Sequence, residues 1–379
     1  MTNRGNAVWI VAAKRTPQGR LLGALAKHSA VELAVAAGRE VIAGIDPSQI
    51  DSVILGNVLG AGLGMNVARQ VGIGLGLPVE VPAFTVNMMC ASGMQAVMLA
   101  AQSIEHGSAR MVLCGGTESM SNAPYLLPRA RHGYKLGDGV LVDSLLRDGL
   151  SDAFSGEHMG LTAERVAESH AISRAAQDRF AVSSQTRCAA AQQAGHFETE
   201  LVAVEGLQRD EHPRPETTAE ALAALRPIFK REGSVTAGNA SGINDGAALL
   251  LLCDEAFGRE CGLQPMMVLG ASASAGCDPA SMGMGPVHAV RKLGVEPRDF
   301  DHVELNEAFA AQSLACIQEL GLDEAKVNPD GGAIALGHPI GASGARLLVH
   351  LAHRQPRRGL ATLCVGGGMG CAVVLERPT

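Results

Sequence analysis

Apolar and polar positions follow two rhythms that take turns along the chain. Val8 to Ala13 is a short apolar run, the pattern of a strand covered on both faces, and Ser29-Ala30-Val31-Glu32 is a capping box that opens a helix through Val41. Val53 to Leu55 is the next strand, and Asn66 to Leu75 keeps helical character despite its glycines. Pro82 to Val86 is extended. From Ala91 to Glu105, Met94, Val97, Met98, Ala101 and Ile104 fall at helical spacing, and Arg110 to Cys114 then predicts a strand running into a glycine turn at Gly115-Gly116. Strands separated by helices predict parallel strands with helical crossovers, an α/β fold whose sheet is covered on both faces.

Sliding the chain against itself uncovers a long-period repeat. Gly44-Ile45-Asp46-Pro47-Ser48-Gln49-Ile50-Asp51-Ser52-Val53 matches Gly294-Val295-Glu296-Pro297-Arg298-Asp299-Phe300-Asp301-His302-Val303 at an offset of 250. Ala91-Ser92-Gly93 matches Ala342-Ser343-Gly344 at 251, and Cys114-Gly115 matches Cys364-Val365 at 250. Three ordered blocks at nearly one offset predict two halves of one fold. Residues 117–243 have no counterpart, are more polar, and include the charged, Pro-rich Asp210-Glu211-His212-Pro213-Arg214-Pro215-Glu216. They are expected to form an inserted cap, with exposed amphipathic helices at Thr162 to His170 and Ala175 to Gln193. The division expected is a first half of residues 1–116 with about 244–265, the insertion at 117–243, and a second half at 266–379.

Composition narrows the function. A net charge of -7, with no run of Lys or Arg and only 3% aromatic residues, argues against nucleic-acid or polybasic membrane binding. Small-molecule partners are expected. Nine cysteines without a C-x-x-C pair suggest neither a zinc site nor a disulfide framework, so a reducing compartment fits. Met1-Thr2-Asn3-Arg4 leads into an apolar run too short for a signal peptide, no stretch is long enough to span a membrane, and the end at Thr379 is no peroxisomal address. Cytoplasm is the expected location.

The chemistry gathers on a few motifs. Cys90 falls where a strand gives way to a helix, so its thiol is expected to face the helix N-terminus, which favours the nucleophilic thiolate. By the repeat, this elbow corresponds to Gly337-His338-Pro339-Ile340-Gly341, which places His338 near Cys90 as its base. The glycine turn Cys364-Val365-Gly366-Gly367-Gly368-Met369-Gly370 offers a second thiol and backbone N–H groups for an oxyanion, and Asn306 could donate into the same cavity. Taken singly, each is better read as turn chemistry or core packing. A serine or metal hydrolase is disfavoured, because G-x-S-x-G, H-E-x-x-H and G-K-[ST] are all absent.

Taken together, Val86-Asn87 with Cys90-Ala91-Ser92-Gly93, Gly115 to Ser121, Asn306-Glu307-Ala308-Phe309, Gly331 to Gly344 and Cys364 to Gly370 resemble the thiolase family over the whole chain. The resemblance implies two duplicated αβα halves in a five-layer αβαβα core with an inserted cap. It also implies acyl transfer between acyl-CoA thioesters without a metal or redox cofactor. Cys90, activated by His338, would form an acyl-enzyme; Cys364 would take the α-proton of a bound acetyl-CoA, and thiolysis would run the reverse. His338 and a water on Asn306 would hold one thioester oxygen, and the backbone N–H groups of Cys90 and Gly366 the other.

The same likeness places Ser241 against the pantetheine of CoA, Phe229, Ala237, Ala308 and Phe309 along its tunnel, Arg214 beside the adenine, and His158 and Met159 beside the pantetheine and acyl end. A methionine filling the acyl pocket suits acetyl and acetoacetyl groups; the alternatives are a thiolase for longer 3-ketoacyl chains and a non-catalytic CoA-binding scaffold. Met88-Met89, Asn328-Pro329-Asp330 and Cys371 depart from the commoner family pattern and bear on chain length. Cys371 is expected to pack. The family forms dimers, commonly paired into tetramers, and Ser121 to Val140 resembles the segment that tethers them.

Overall fold

A computed structural model describes residues 7–378; the expectations about Met1 to Arg4 and Thr379 lie outside the described residues. The first half is built from β1 (Val8–Arg15), β2 (Gly19–Arg20), α1 (Ala30–Val41), β3 (Ser52–Gly56), α2 (Val67–Gly74), β4 (Ala83–Val86), α3 (Ser92–Glu105) and β5 (Met111–Ser119). The insertion holds the hairpin β6 (Tyr125–Leu126) with β7 (Val142–Asp143), then α4 (Met159–Ser169), α5 (Arg174–Gln193) and α6 (Ala219–Ala223). The chain continues through β8 (Asn244–Asp254), α7 (Glu255–Glu260), β9 (Met267–Gly276), α8 (Gly285–Leu293), β10 (His302–Leu305), α9 (Ala310–Leu320), α10 (Ala333–Leu336), α11 (Ile340–Arg354), β11 (Arg358–Val365) and β12 (Met369–Glu376). The capping box at α1 is complete: Glu32 N–H donates to Ser29 Oγ, and Ser29 N–H donates back to the Glu32 carboxylate.

The duplication is visible in the strand order. The first half runs β1-β8-β5-β3-β4, the second β9-β12-β11-β10, and Val327 bridges to Val303 where β4 has its counterpart. Both repeats pass through a left-handed glycine, Gly44 or Gly294, and a 3-10 turn, Pro47–Gln49 or Pro297–Asp299, before β3 or β10. The sheets of the two halves meet along one edge. The start of β1 pairs antiparallel with β9, from Val8 with Leu269 to Ile10 with Met267, while its other edge stays on β8.

Apolar faces set the layers. Leu33 and Ala37 of α1 and Val71 of α2 pack on Leu113 and Leu249 outside the first half, and Val287 and Val290 of α8 with Ala315 of α9 pack on Leu305, Leu360 and Val374 outside the second. Between them α3 and α11 are buried, Met94 and Val97 beside Leu347 and Leu348. Two repeat glycines allow this crossing. A Cβ at Gly93 would lie 2.9 Å from Gly341 O, and one at Gly344 2.8 Å from Met94 N.

The expected turn at Gly115-Gly116 is instead the middle of β5, which pairs with β8 as far as Ser119. A Cβ at Gly115 would lie 2.2 Å from Ala248 O, and one at Gly116 2.0 Å from Gly341 O. These glycines serve close approach, so the strand runs straight through them.

The helices expected to be exposed in the insertion are half-covered, with Val166 of α4 and Phe180 of α5 in the core of the second half. A buried ionic network fastens the insertion below them. Arg15 donates to Glu200 at 2.6 Å and to Asp210 at 2.7 and 2.9 Å; His350 of α11 donates from Nδ1 to Glu200 at 2.9 Å and from Nε2 to Asp330 at 3.1 Å. Arg346 meets Glu304 at 2.8 Å. With acidic partners on both ring nitrogens, His350 is an imidazolium: its carboxylates overcome burial and push it up to about 9, and Glu200 is pulled down to about 2 by Arg15 and His350 against its own burial.

A histidine raised in the folded state stabilises fully below about pH 6.5, and that contribution is lost as pH climbs through about 9. The melting temperature is therefore expected to fall between about pH 7 and 9.5. His350→Gln, destabilised by about 3–5 kcal/mol at neutral pH because Glu200 and Asp330 lose their buried partner, should show the flatter profile in scanning calorimetry. Parallel profiles would refute the assignment.

Candidate active site

The nucleophile elbow is a strained turn held by a serine. β4 ends at Val86, Met89 takes φ 47°, outside the usual range for a side-chain-bearing residue, and α3 begins at Ser92. Met88 N–H donates to Ser92 Oγ at 2.9 Å, Ser92 Oγ–H donates to Met89 O at 2.6 Å, and Asn87 Oδ1 accepts Met89 N–H at 3.1 Å. Cys90 is thereby presented to a cavity of about 370 Å³.

That cavity brings together almost every residue singled out from the sequence. Cys90, His338, Cys364 and Gly366 line its inner end, and His158, Met159, Arg214, Phe229, Ala237, Ser241, Ala308 and Phe309 line the rest. Asn306 stands behind the lining, its Nδ2 3.5 Å from His338 Nδ1. Asn306 Oδ1 and His338 Nε2 are buried and have no partner among the described residues. Orphaned polar atoms in a cavity are where a water or substrate oxygen binds.

The tautomer of His338 follows from its neighbour. Ser343 Oγ–H donates to Pro339 O at 2.9 Å, so at 2.6 Å from His338 Nδ1 the same oxygen accepts the ring N–H. The lone pair is then on Nε2. Burial, and secondarily the Arg346 charge, lower His338 to about 4, so the ring is neutral at physiological pH and ready to accept a proton. Asn244 Oδ1 accepts His338 N–H at 2.9 Å, and Gly337, at φ 104°, leaves no room for a Cβ beside Asn244.

The thiolate expected at Cys90 is not its resting state. Burial pushes Cys90 up to about 11, and the backbone N–H groups of Gly366 and of Cys90 itself pull it down only in part. Desolvation outweighs the end of one helix. Cys364, fully buried, is held well above the ordinary thiol range first by burial, and any negative charge on Cys90 would raise it further. The pair therefore rests as two thiols beside a neutral imidazole. The same two N–H groups that face Cys90 Sγ are the pair expected to hold an oxyanion.

The tunnel wall is aromatic. His158 caps α4, its Nδ1 accepting Gly160 N–H at 3.0 Å, and stacks on Phe229 at 4.5 Å between centroids; Phe229 meets Phe309 edge-on at 6.3 Å. Ser241 N–H donates to Ala308 O at 3.0 Å, tying the Ser241 loop to Asn306-Glu307-Ala308-Phe309. At the inner end, a Cβ on Gly366 would lie 2.8 Å from Met159 Cε and 3.5 Å from Met89 Cε. Cys371, by contrast, is buried against Ser274 and Met88 outside the lining, as packing requires.

Several supports lie within or beside the quoted motifs, but the sequence assigned them no role. Glu118, buried, accepts Val58, Leu59 and Gly341 N–H groups and Asn57 Nδ2, and is raised to about 7 by burial. Glu307 accepts Ser184 Oγ–H, Asn328 Nδ2 and Ile334 N–H. His302, Glu304 and His350 form a group whose ligating atoms approach one another. They lie outside the cavity lining and are committed to one another and to neighbouring side chains, as in the 2.8 Å hydrogen bond between His302 Nε2 and Glu304.

Comparison with known proteins agrees with the fold. The family description "Thiolase, N-terminal domain" matches residues 8–256 and "Thiolase, C-terminal domain" residues 263–377. The acetyl-CoA acetyltransferase of Allochromatium vinosum is 50% identical over 387 residues, 97% of this chain and 98% of that one. The crystal structure of the Bacillus anthracis acetyl-CoA acetyltransferase superposes with a TM-score of 0.95 at 42% identity, covering 99% of this chain and 100% of that one. Human mitochondrial 3-ketoacyl-CoA thiolase in complex with CoA gives 0.95 at 43% identity, covering 99% and 98%.

Proposed function

The chain belongs to the thiolase family, and we propose that it is an acetyl-CoA C-acetyltransferase, condensing two acetyl-CoA into acetoacetyl-CoA and CoA or running the thiolysis in reverse. The observation that carries this reading is the convergence of Cys90, Cys364 and the unpartnered Nε2 of His338 on one cavity.

Proton balance gives each group a task. His338 Nε2 takes the Cys90 proton as sulfur attacks the thioester carbonyl, and the C–S bond to CoA breaks to leave an acetyl-cysteine. The departing CoA thiolate takes the Cys364 proton, which leaves Cys364 as the thiolate base. Cys364 then removes the α-proton of the second acetyl-CoA, and the carbanion attacks the acetyl-cysteine. Cys90 leaves as thiolate and recovers its proton from His338. The N–H groups of Cys90 and Gly366 serve the oxygen on the acyl-enzyme; His338 and a water on Asn306 Oδ1 serve the second thioester oxygen. No step in this sequence calls on a metal or redox cofactor.

Met159 and Met89 at Gly366 limit the acyl end to short chains. Brief exposure to acetoacetyl-CoA should therefore acetylate Cys90, read by intact mass and peptide mapping, while 3-ketooctanoyl-CoA should label it poorly. Met159→Ala should raise the relative rate with the longer substrate on the order of tenfold, the worth of a few methylenes in an apolar pocket. Equal labelling of the unaltered protein by both would favour a broader 3-ketoacyl thiolase, and no label from either a CoA-binding scaffold.

Two apolar surfaces support a homo-oligomer. Edge strand β4 presents Phe84, and the β6–β7 hairpin presents Tyr125, Leu136 and Val140 to solvent. A dimer, paired into a tetramer through the hairpin, covers both. Nine free cysteines, and no described helix long and apolar enough to cross a membrane, support work in the reducing cytoplasm.

A further inference from the structure

The outer end of the tunnel carries cationic groups that the reaction does not use. β2 pairs with the start of β8, Arg20 opposite Asn244, and this brings Arg20 to a recess of about 420 Å³ that shares Arg214 with the tunnel. Among the described residues neither arginine forms an ion pair. The Glu211 carboxylate accepts the backbone N–H groups of Arg20 and Ala24; Glu216 stands on the same rim. His212 lines the tunnel, and its Nδ1 is buried without a partner among the described residues. It is lowered to about 4, first by burial and then by the charges of Arg214 and Arg20, which outweigh the opposing charges of Asp210 and Glu211 there.

Two unpaired guanidinium groups at the mouth of an otherwise apolar tunnel are an anion site in search of its anion. We propose that Arg20, acting with Arg214, binds the phosphate groups of a 3′-phosphorylated adenosine diphosphate, the nucleotide end of the CoA thioester. This rests on the CoA reading above. A pantetheine arm reaching Cys90 fills the tunnel past Ser241 and Phe229, and its charged end then emerges where Arg20 and Arg214 stand. Arg20 is exposed, so its contribution is one of attraction and register at the rim.

The test uses the full-length protein and two thioesters. Arg20→Gln should raise the KM for acetyl-CoA about five- to tenfold with kcat within twofold, and leave the KM for S-acetylpantetheine, which has no phosphate, unchanged. Arg20→Lys should recover part of the loss. Calorimetric titration with adenosine 3′,5′-bisphosphate, which needs no turnover, should show a similar weakening. Unchanged constants in Arg20→Gln, or an equal loss with S-acetylpantetheine, would overturn the clamp while the acyl-transfer reading stands. An unaltered protein that neither binds the bisphosphate nor acylates Cys90 would overturn both.

Discussion

Cys90→Ala is expected to lose acyl transfer by about four orders of magnitude or more, since Cys90 is the thiol that carries the acetyl unit while Cys364 serves as the base. The elbow itself should survive. Its geometry is fixed by Ser92 and Asn87 on the backbone of Met88 and Met89, and the Cys90 side chain makes none of those bonds. The melting temperature should therefore stay within a few degrees of the unaltered protein, and acetoacetyl-CoA should leave no adduct in the mass spectrum. An adduct that persists in this variant would place the nucleophile elsewhere.

Cys364→Ala should separate the two half-reactions. Acetylation of Cys90 from acetyl-CoA remains, because His338 still accepts the first proton and a CoA thiolate can leave without help. Condensation should fall about a thousandfold, the usual scale for removing a general base. Exchange of the acetyl-CoA methyl protons with deuterated water, followed by NMR, should stop as well. If exchange continued at the original rate, Cys364 would not be the base.

The sequence made the helices, the strands and the duplication legible because these depend on local pattern and on likeness between distant blocks. Interactions between distant segments were not. Gly115 and Gly116 look like a turn until Gly341 O and Ala248 O are seen crossing the strand. Glu118 and Ser343 stand within quoted motifs and Asn244 does not, but the role of each was hidden, since their partners are fixed only when the halves close. The Cys90 charge state failed for a related reason: a helix start can be read from a string, but the burial that outweighs it cannot. The residues of the cavity were named mostly through the resemblance to the thiolase family rather than from local pattern, and they meet in one lining.

Ser92 and Ser343 occupy matching places in the two repeats, one steadying the turn before the nucleophile and the other the imidazole that serves it. In a self-associating ancestor of one unit, rotational symmetry would have obliged both turns to hold the same residue, because a single gene wrote both. Fusion of two copies would lift that obligation. A sulfur could then settle on one side and a ring on the other, a division of labour that identical subunits related by a true twofold cannot encode.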